Sequence, residues 1–148
     1  LRASGCYIFH DIQGKGFNLD HVLVSPKGVF SIETKSYSKP HKGEAKIQID
    51  ADTVVVNGFN NTGILIQAKA QKAWLGELLT KLMGKKIDAR TAVLFPGWFV
   101  LGRFNDAEVW ALNPKALASF VASLPDQYST QEVRQIANTF SMYLRESY

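Results

Sequence analysis

The stretch that decides the fold is NLDHVLVSPKGVFSIETK, residues 18–35. It contains two β-rich runs, residues 18–24 and 29–35, separated by Ser-Pro-Lys-Gly. Proline at the second turn position and glycine at the fourth are typical of a tight turn. The stretch therefore predicts a β-hairpin.

The register of this hairpin determines which side chains meet. If the turn is centred on residues 26–27, Asp20 lies directly opposite Glu33. Opposed Cβ atoms are about 4.5 to 5.5 Å apart, so both carboxylates could hold one divalent cation. Lys35, two residues beyond Glu33, shares its face. A slip of one residue would disperse the cluster.

Two carboxylates that face each other repel unless a cation lies between them, and Mg²⁺ or Mn²⁺ prefers such oxygen ligands. The cation would polarise a phosphate oxygen and activate a water, while Lys35 offsets developing negative charge. The pattern predicts metal-dependent phosphodiester hydrolysis by metal-activated water. The alternative is a surface ion pair between Lys35 and Glu33, which is common and weak.

Outward from the hairpin, hydrophobic periodicity predicts strands and helices in mixed order. The main helix is expected at residues 64–83, followed by Gly84. Residues 57–63 are interpreted as a loop. Further strands are predicted at residues 6–12, 45–49, 53–56, 91–95 and 109–112, with helices at about 113–124 and 129–145. This order predicts an α/β fold with a mixed central sheet flanked by helices.

Composition is that of one ordinary globular domain over residues 1–148, with 46% apolar and 20% charged residues. Cys6 is the only cysteine, which favours a reducing compartment and a cytoplasmic location. No apolar run approaches the roughly 20 residues of a membrane span. Residues 1–5 are interpreted as the end of a helix, so an N-terminal helix is expected to be missing. The oligomeric state stays open.

Positive charge is concentrated in the part of the chain that carries the hairpin. Residues 1–86 contain 12 Lys and Arg against 7 Asp and Glu, whereas residues 87–148 contain 5 against 6. A basic face favours a polyanionic substrate such as nucleic acid, although solvated lysines are an equally simple explanation. The candidate phosphate-contacting surface comprises residues 39–42 with Lys15, Lys46, Lys69 and Lys72.

Residues 18–35 resemble the nuclease-related domain (NERD) family of the PD-(D/E)xK nuclease superfamily, through an aspartate, a histidine, a turn and an ExK in this order. The resemblance implies a restriction-endonuclease-like core, with Asp20 and Glu33 as metal ligands. It implies the backbone carbonyl of Thr34 as a further ligand, Lys35 as the catalytic lysine, and DNA rather than RNA as substrate. Gln67 matches a glutamine that the family carries on the helix after the core strands.

Other residues could also belong to the site, but the sequence favours them less. Gln71, one turn after Gln67, could also point towards the site. Strand alternation turns His21 away from Asp20, so His21 is expected to be a packed histidine, or one that supports a ligand without contacting the metal, rather than a ligand. Residues 10–11 could reach the site, but a turn-forming aspartate is the plainer interpretation. Residues 98–99 could stack on bases, although core aromatics are commoner.

Family members resemble one another in an N-terminal helix that supplies an acidic residue near the metal. Either that residue would precede Leu1 in a longer chain or this protein lacks it. The leading hypothesis is a Mg²⁺-dependent nuclease. The rival is a catalytically inactive nucleic-acid-binding module with a nuclease-like fold. A third hypothesis is a protein-interaction domain that uses residues 98–99.

Overall fold

The structure is a computed structural model that describes residues 5–38 and 45–147. In chain order the elements are β1 (Tyr7–Gln13), β2 (Asn18–Ser25), β3 (Gly28–Thr34), β4 (Lys46–Ala51), β5 (Thr53–Val56), β6 (Phe59–Asn61), α1 (Gly63–Met83), β7 (Ala89–Leu94), β8 (Phe99–Phe104), β9 (Val109–Leu112), α2 (Pro114–Ala122) and α3 (Thr130–Ser147). Among the described helices, none is long and apolar enough to cross a bilayer. The expected helix end at residues 1–5 lies largely outside the described residues, as does the basic loop at 39–42.

The strands form two mixed sheets. The first has the order β1-β2-β3-β7-β9, in which β1, β2 and β3 are antiparallel and β3, β7 and β9 are parallel. The second has the order β6-β5-β4-β8, with β4 and β8 parallel. The predicted α/β class with helices around a mixed central sheet is confirmed, and a second mixed sheet accompanies the central one.

Helices cover both faces of the first sheet. Val22, Val24 and Val29 pack on one face against side chains of α1 and α3. Leu23 and Phe30 point to the other face and pack with α2. Because alternate side chains of a strand point to opposite faces, a sheet that is apolar on both sides must be covered on both. The central hairpin is therefore buried, and only its ends reach the surface.

Helix α1 joins the two sheets and spans nearly the range that its periodicity predicts. At its start, Asn61 Oδ1 accepts hydrogen bonds from the backbone N–H groups of Gly63 and Ile64, at 2.8 and 3.2 Å. At its end, Gly84 adopts φ 70° and donates its N–H to Thr80 O at 3.0 Å. A left-handed glycine is a common helix terminator, because it has no Cβ to collide with the backbone.

Strand β6 replaces part of the loop expected at residues 57–63. It pairs antiparallel with β5, with Val56 opposite Phe59. Asn57 and Gly58 form the turn, and both have positive φ, 51° and 80°. An Asn-Gly pair between strands is a strong hairpin signal because both central positions of a type I′ turn need positive φ. The sequence therefore contained this signal, and the loop interpretation was wrong.

Strand β8 was not predicted at all. It pairs parallel with β4, with Ile49 opposite Gly102. Gly102 has φ 84°, and a Cβ there would collide with the carbonyl oxygen of Ile49. The burial of residues 99–104 does not alternate. Without alternation, and with a glycine inside the run, the segment lacks the pattern that identifies a strand.

Candidate active site

The register of the β2–β3 hairpin is the one predicted, with Val24 opposite Val29. Continued to the open end of the hairpin, this register places Asp20 opposite Glu33. The backbone N–H of Thr34 donates to Asp20 Oδ2 at 3.0 Å. This bond ties the Asp20 carboxylate to the neighbouring strand and keeps it beside Glu33.

Glu33 lies beneath α1, and its side chain is only 13% exposed. Burial raises the pKa of Glu33, and the negative charge of Asp20 raises it further. A hydrogen bond from Gln71 Nε2 to Glu33 Oε2, at 3.2 Å, acts in the opposite direction, as does the charge of Lys35. On balance the pKa of Glu33 is raised. Gln71 and Lys35 therefore do not fully offset the effects of burial and of the Asp20 charge.

Lys35 follows the end of β3, and its side chain is 26% exposed. Its ammonium group donates to Gln67 Oε1 at 2.9 Å and lies 4.0 Å from Glu33 Oε1. The lysine is therefore anchored mainly by a neutral amide and approaches the carboxylate without forming a close ion pair. Such an ammonium group keeps hydrogen-bonding capacity for an anion, because it has three donors.

Two glutamines of α1 converge on these residues from above. Gln67 and Gln71 are four residues apart, so they occupy one face of the helix, one turn from each other. Gln67 contacts Lys35, and Gln71 contacts Glu33. The structure thus brings together Asp20, Glu33, Lys35 and Gln67, together with Gln71, which the sequence favoured less strongly.

An irregularity in β1 and β2 adjoins Asp20. Strict alternation along β2 would place Leu19 and Val22 on opposite faces, but both lie in the same core cluster. Asp11 has a positive φ of 52°. The residues of β1 before and after it nevertheless pair with β2 in the same register. The interpretation of Asp11 as a turn residue is wrong, since it lies within β1.

His10 and His21 face each other on β1 and β2 and contact each other, at 2.7 Å between their Nδ1 atoms. Their rings meet edge to face, with centroids 4.8 Å apart. His10 is exposed, whereas His21 is half-buried. Its ring partner is the other histidine.

The candidate phosphate-contacting surface is only partly retained. Lys72 donates to Asp106 and Glu108 at 3.3 to 3.4 Å, so its charge is neutralised within the protein. Lys15 and Lys69 are exposed. The structure therefore removes Lys72 from the surface that could contact phosphate.

The aromatic residues after Pro96-Gly97 have different environments. Trp98 is 1% exposed and donates its indole N–H to Tyr37 O at 3.2 Å. Phe99 begins β8 and is 63% exposed. The expectation that core packing is the commoner role holds for Trp98, which is not available for stacking on bases.

The oxygen atoms at the hairpin end fit a hard divalent cation. In the described ranges, no group of three or more His, Cys, Asp or Glu side chains is arranged to hold a metal ion, so a cation at the hairpin end would be held by the two carboxylates and backbone oxygen. Thr34 directs its N–H towards Asp20. The N–H and C=O groups of one strand residue point to the same side, so the Thr34 carbonyl lies on that edge too. Carboxylate and carbonyl oxygens suit Mg²⁺ or Mn²⁺.

This chain resembles a known protein family and, more distantly, a solved structure. A comparison with curated proteins finds no match. Among solved structures, SfsA from Pyrococcus furiosus in complex with Ca²⁺ is similar, with a TM-score of 0.31 and 16% identity. The match covers 82% of this chain but 42% of SfsA, so the chain spans less than half the length of that protein. The nuclease-related domain model matches residues 1–96, which is well over half of the chain. The chain therefore belongs to the nuclease-related domain (NERD) family, within the PD-(D/E)xK superfamily.

Proposed function

We propose that this protein is a metal-dependent nuclease that hydrolyses phosphodiester bonds in DNA. The observation that carries the proposal is the meeting of Asp20, Glu33 and Lys35 at one end of the β2–β3 hairpin, beneath two glutamines of α1. Carboxylate oxygens beside an available ammonium group suit a reaction in which a phosphate gains negative charge in the transition state. Membership of a nuclease-related family supports the same reaction class.

Asp20, Glu33 and the Thr34 carbonyl would hold Mg²⁺ or Mn²⁺. When bound, such a cation supplies Lewis acidity to a phosphate oxygen and lowers the pKa of water. Thr34 N–H keeps the Asp20 carboxylate in place through its hydrogen bond. Burial and the charge of Asp20 raise the pKa of Glu33, so a positive charge beside its carboxylate would be favourable.

Lys35 stabilises negative charge on the phosphate group. Its Nζ is held by Gln67 Oε1 at 2.9 Å, which fixes the side chain without neutralising it. The exposed quarter of the side chain gives a substrate phosphate access to the ammonium group. Gln67 thus acts on the reaction by orienting Lys35, and the two residues form one unit.

DNA as the substrate and the cytoplasm as the location are the finer parts of the proposal. DNA rests on the family resemblance of residues 18–35, since no residue described above distinguishes DNA from RNA. The cytoplasm rests on Cys6, a free and buried thiol, which is typical of a reducing compartment.

Nicking of supercoiled plasmid in Mg²⁺ or Mn²⁺, with EDTA as the metal-free control, tests the proposal. Lys35→Ala is expected to reduce nicking by about 100-fold or more, in line with the loss of one charge-stabilising group. Lys86→Ala, which removes an exposed lysine paired with Asp88, is the matched control and should nick like the wild type. Equal nicking by Lys35→Ala and the wild type would overturn the enzyme proposal.

The rival function is a catalytically inactive module that binds nucleic acid. It is favoured by one observation, the restriction of the acidic set to two carboxylates within the described ranges. Retained DNA binding by wild-type protein that does not nick in Mg²⁺, Mn²⁺ or EDTA would establish this rival.

A further inference from the structure

Gln71 is an unusual residue for its position. It lies on the buried face of α1, between the helix and β3, and it is 0% exposed. A primary amide in such a place is unfavourable unless both of its ends are hydrogen-bonded. An apolar side chain of similar length, such as methionine, would fill the same space without this requirement. The presence of an amide therefore calls for a polar partner.

Only one end of the amide has such a partner. Gln71 Nε2 donates to Glu33 Oε2 at 3.2 Å. Gln71 Oε1 is buried and has no hydrogen-bond donor among the described residues. A buried carbonyl left unpaired costs about 1 to 3 kcal/mol. The amide nitrogen of Gln71 therefore has a hydrogen-bond partner in Glu33, whereas its amide oxygen has none among the described residues.

Neighbouring polar groups in the same interface do not share this deficiency. Ser31 Oγ and Thr91 Oγ1 are 2.7 Å apart and hydrogen-bonded to each other. Thr91 Oγ1 also reaches the carbonyl oxygen of Ala68 on α1, at 3.3 Å. Packing between α1 and the sheet therefore accommodates buried polar groups when they serve only the fold. The unpaired oxygen of Gln71 is specific to the position beside Glu33.

We propose that Gln71 is a positioning residue that prepares Glu33 for a hydrated divalent cation, an inference that rests on the proposed function. Its Nε2 fixes Glu33 Oε2, which leaves Glu33 Oε1 available as a ligand. Its Oε1 accepts a hydrogen bond from a water molecule that belongs to the hydrated cation. Gln71 itself contacts neither the cation nor the substrate.

The chemistry of the cation matches the missing partner. Mg²⁺ and Mn²⁺ bound by few protein groups keep several water molecules. A water whose oxygen binds a cation presents its hydrogens outward and acts as a donor. Gln71 Oε1 is an acceptor that no donor in residues 5–38 and 45–147 reaches. Groups that orient a metal ligand in this way typically change metal affinity by about 10- to 100-fold.

The test is the Mn²⁺ affinity of the whole chain, measured by calorimetry without substrate. Gln71→Met keeps the side-chain length and removes both polar atoms, and it is expected to weaken Mn²⁺ binding by about 10-fold or more. Thr91→Val is the matched control, because it removes a buried hydrogen-bonding group from the same interface. It should lower stability in urea without changing Mn²⁺ affinity. DNA binding in EDTA should be the same for Gln71→Met and the wild type.

Mn²⁺ affinity that is unchanged in Gln71→Met but abolished in Glu33→Gln would overturn the role of Gln71 while leaving the cation site intact. Equal Mn²⁺ binding by Glu33→Gln and the wild type, or none by the wild type, would overturn the proposed site itself and Gln71 with it. If Gln71→Met does not fold, Gln71→Asn replaces it. This variant keeps an amide but retracts it by one methylene, and it should lose Mn²⁺ affinity to a similar extent.

Discussion

Two groups of lysine and carboxylate side chains involve α1. They differ in the distance between the lysine ammonium group and the nearest carboxylate oxygen. In the first, Lys35 Nζ lies 4.0 Å from Glu33 Oε1 and is anchored by a neutral amide. In the second, Lys72 Nζ lies 3.3 Å from Asp106 Oδ2 and 3.4 Å from Glu108 Oε1. We call them the hairpin group and the Lys72 group. Only the second neutralises its lysine within the protein.

The side chains of Glu33 and Asp106 are exposed to a similar extent, 13% and 16%, but the pKa values of the two carboxyl groups shift in opposite directions. Burial raises the pKa of both carboxyls. For Asp106, hydrogen bonds from the Glu108 N–H and from Lys72 outweigh burial, so its pKa is lowered. For Glu33, the charge of Asp20 adds to burial, so its pKa is raised. Carboxylates left uncompensated are typical of functional sites, and compensated ones are typical of structural ion pairs.

The largest expected effect separates the two groups by activity. Glu33→Gln should reduce Mg²⁺-dependent plasmid nicking by about 100-fold or more, because it removes a charged ligand from the proposed cation site. Glu108→Gln is the same chemical change in the Lys72 group and should leave the nicking rate within about twofold. Equal losses in both variants would erase the functional distinction between the groups.

The next largest expected effect is on stability, and it tests whether the Lys72 group stabilises the fold. Lys72→Met leaves Asp106 without its ammonium partner, and it should lower the free energy of unfolding by about 1 kcal/mol, between the values for exposed and buried pairs. Urea denaturation measures this change. Lys86→Met, in an exposed pair with Asp88, should change stability by less than about 0.5 kcal/mol. A Lys72→Met protein as stable as the wild type would mean that the Lys72 group contributes nothing to the fold.

The smallest expected effect is on the pH dependence of stability, measured in EDTA, and it has opposite signs for substitutions at Asp106 and at Glu33. The pKa of Asp106 is lowered by folding, so its contribution to stability is present above its unfolded pKa and is lost as pH falls through its folded pKa. Asp106→Asn should therefore be less stable than the wild type at pH 7, with a difference that shrinks in acid.

Glu33 should behave in the opposite way. Its pKa is raised by folding, so its contribution is fully present below its unfolded pKa and is lost as pH rises through its folded pKa. Glu33→Gln should therefore be more stable than the wild type at pH 7, and the two should converge below about pH 4. Destabilisation of both variants at pH 7 would contradict the opposite pKa shifts.

The hairpin group could be predicted from sequence because its geometry is local. The Ser25–Gly28 turn fixes the register, and strand alternation then assigns Glu33 and Lys35 to one face. The resemblance of residues 18–35 to the nuclease-related domain family added Gln67. Strand alternation failed at Leu19, where the chain is irregular beside Asp11. An irregularity of this kind leaves no mark in the hydrophobic pattern.

The Lys72 group could not be predicted, because its members come from two separated parts of the chain. Lys72 belongs to α1, whereas Asp106 and Glu108 lie between β8 and β9. Their contact depends on how α1 packs across both sheets, and β8 itself gave no strand pattern. The burial of Gln71 depends on the same packing. Sequence spacing placed it on the correct face of the helix but could not show that one of its polar atoms lacks a partner.

The most direct test of the central claim is a crystal structure of the protein soaked in Mn²⁺, with the cation located by its anomalous scattering. We expect a Mn²⁺ peak between the carboxylates of Asp20 and Glu33, and none at Asp106 and Glu108. A peak at the Lys72 group, or no peak at the hairpin group in crystals where Asp20 and Glu33 are ordered and accessible, would contradict the assignment of the hairpin group as the metal-binding site.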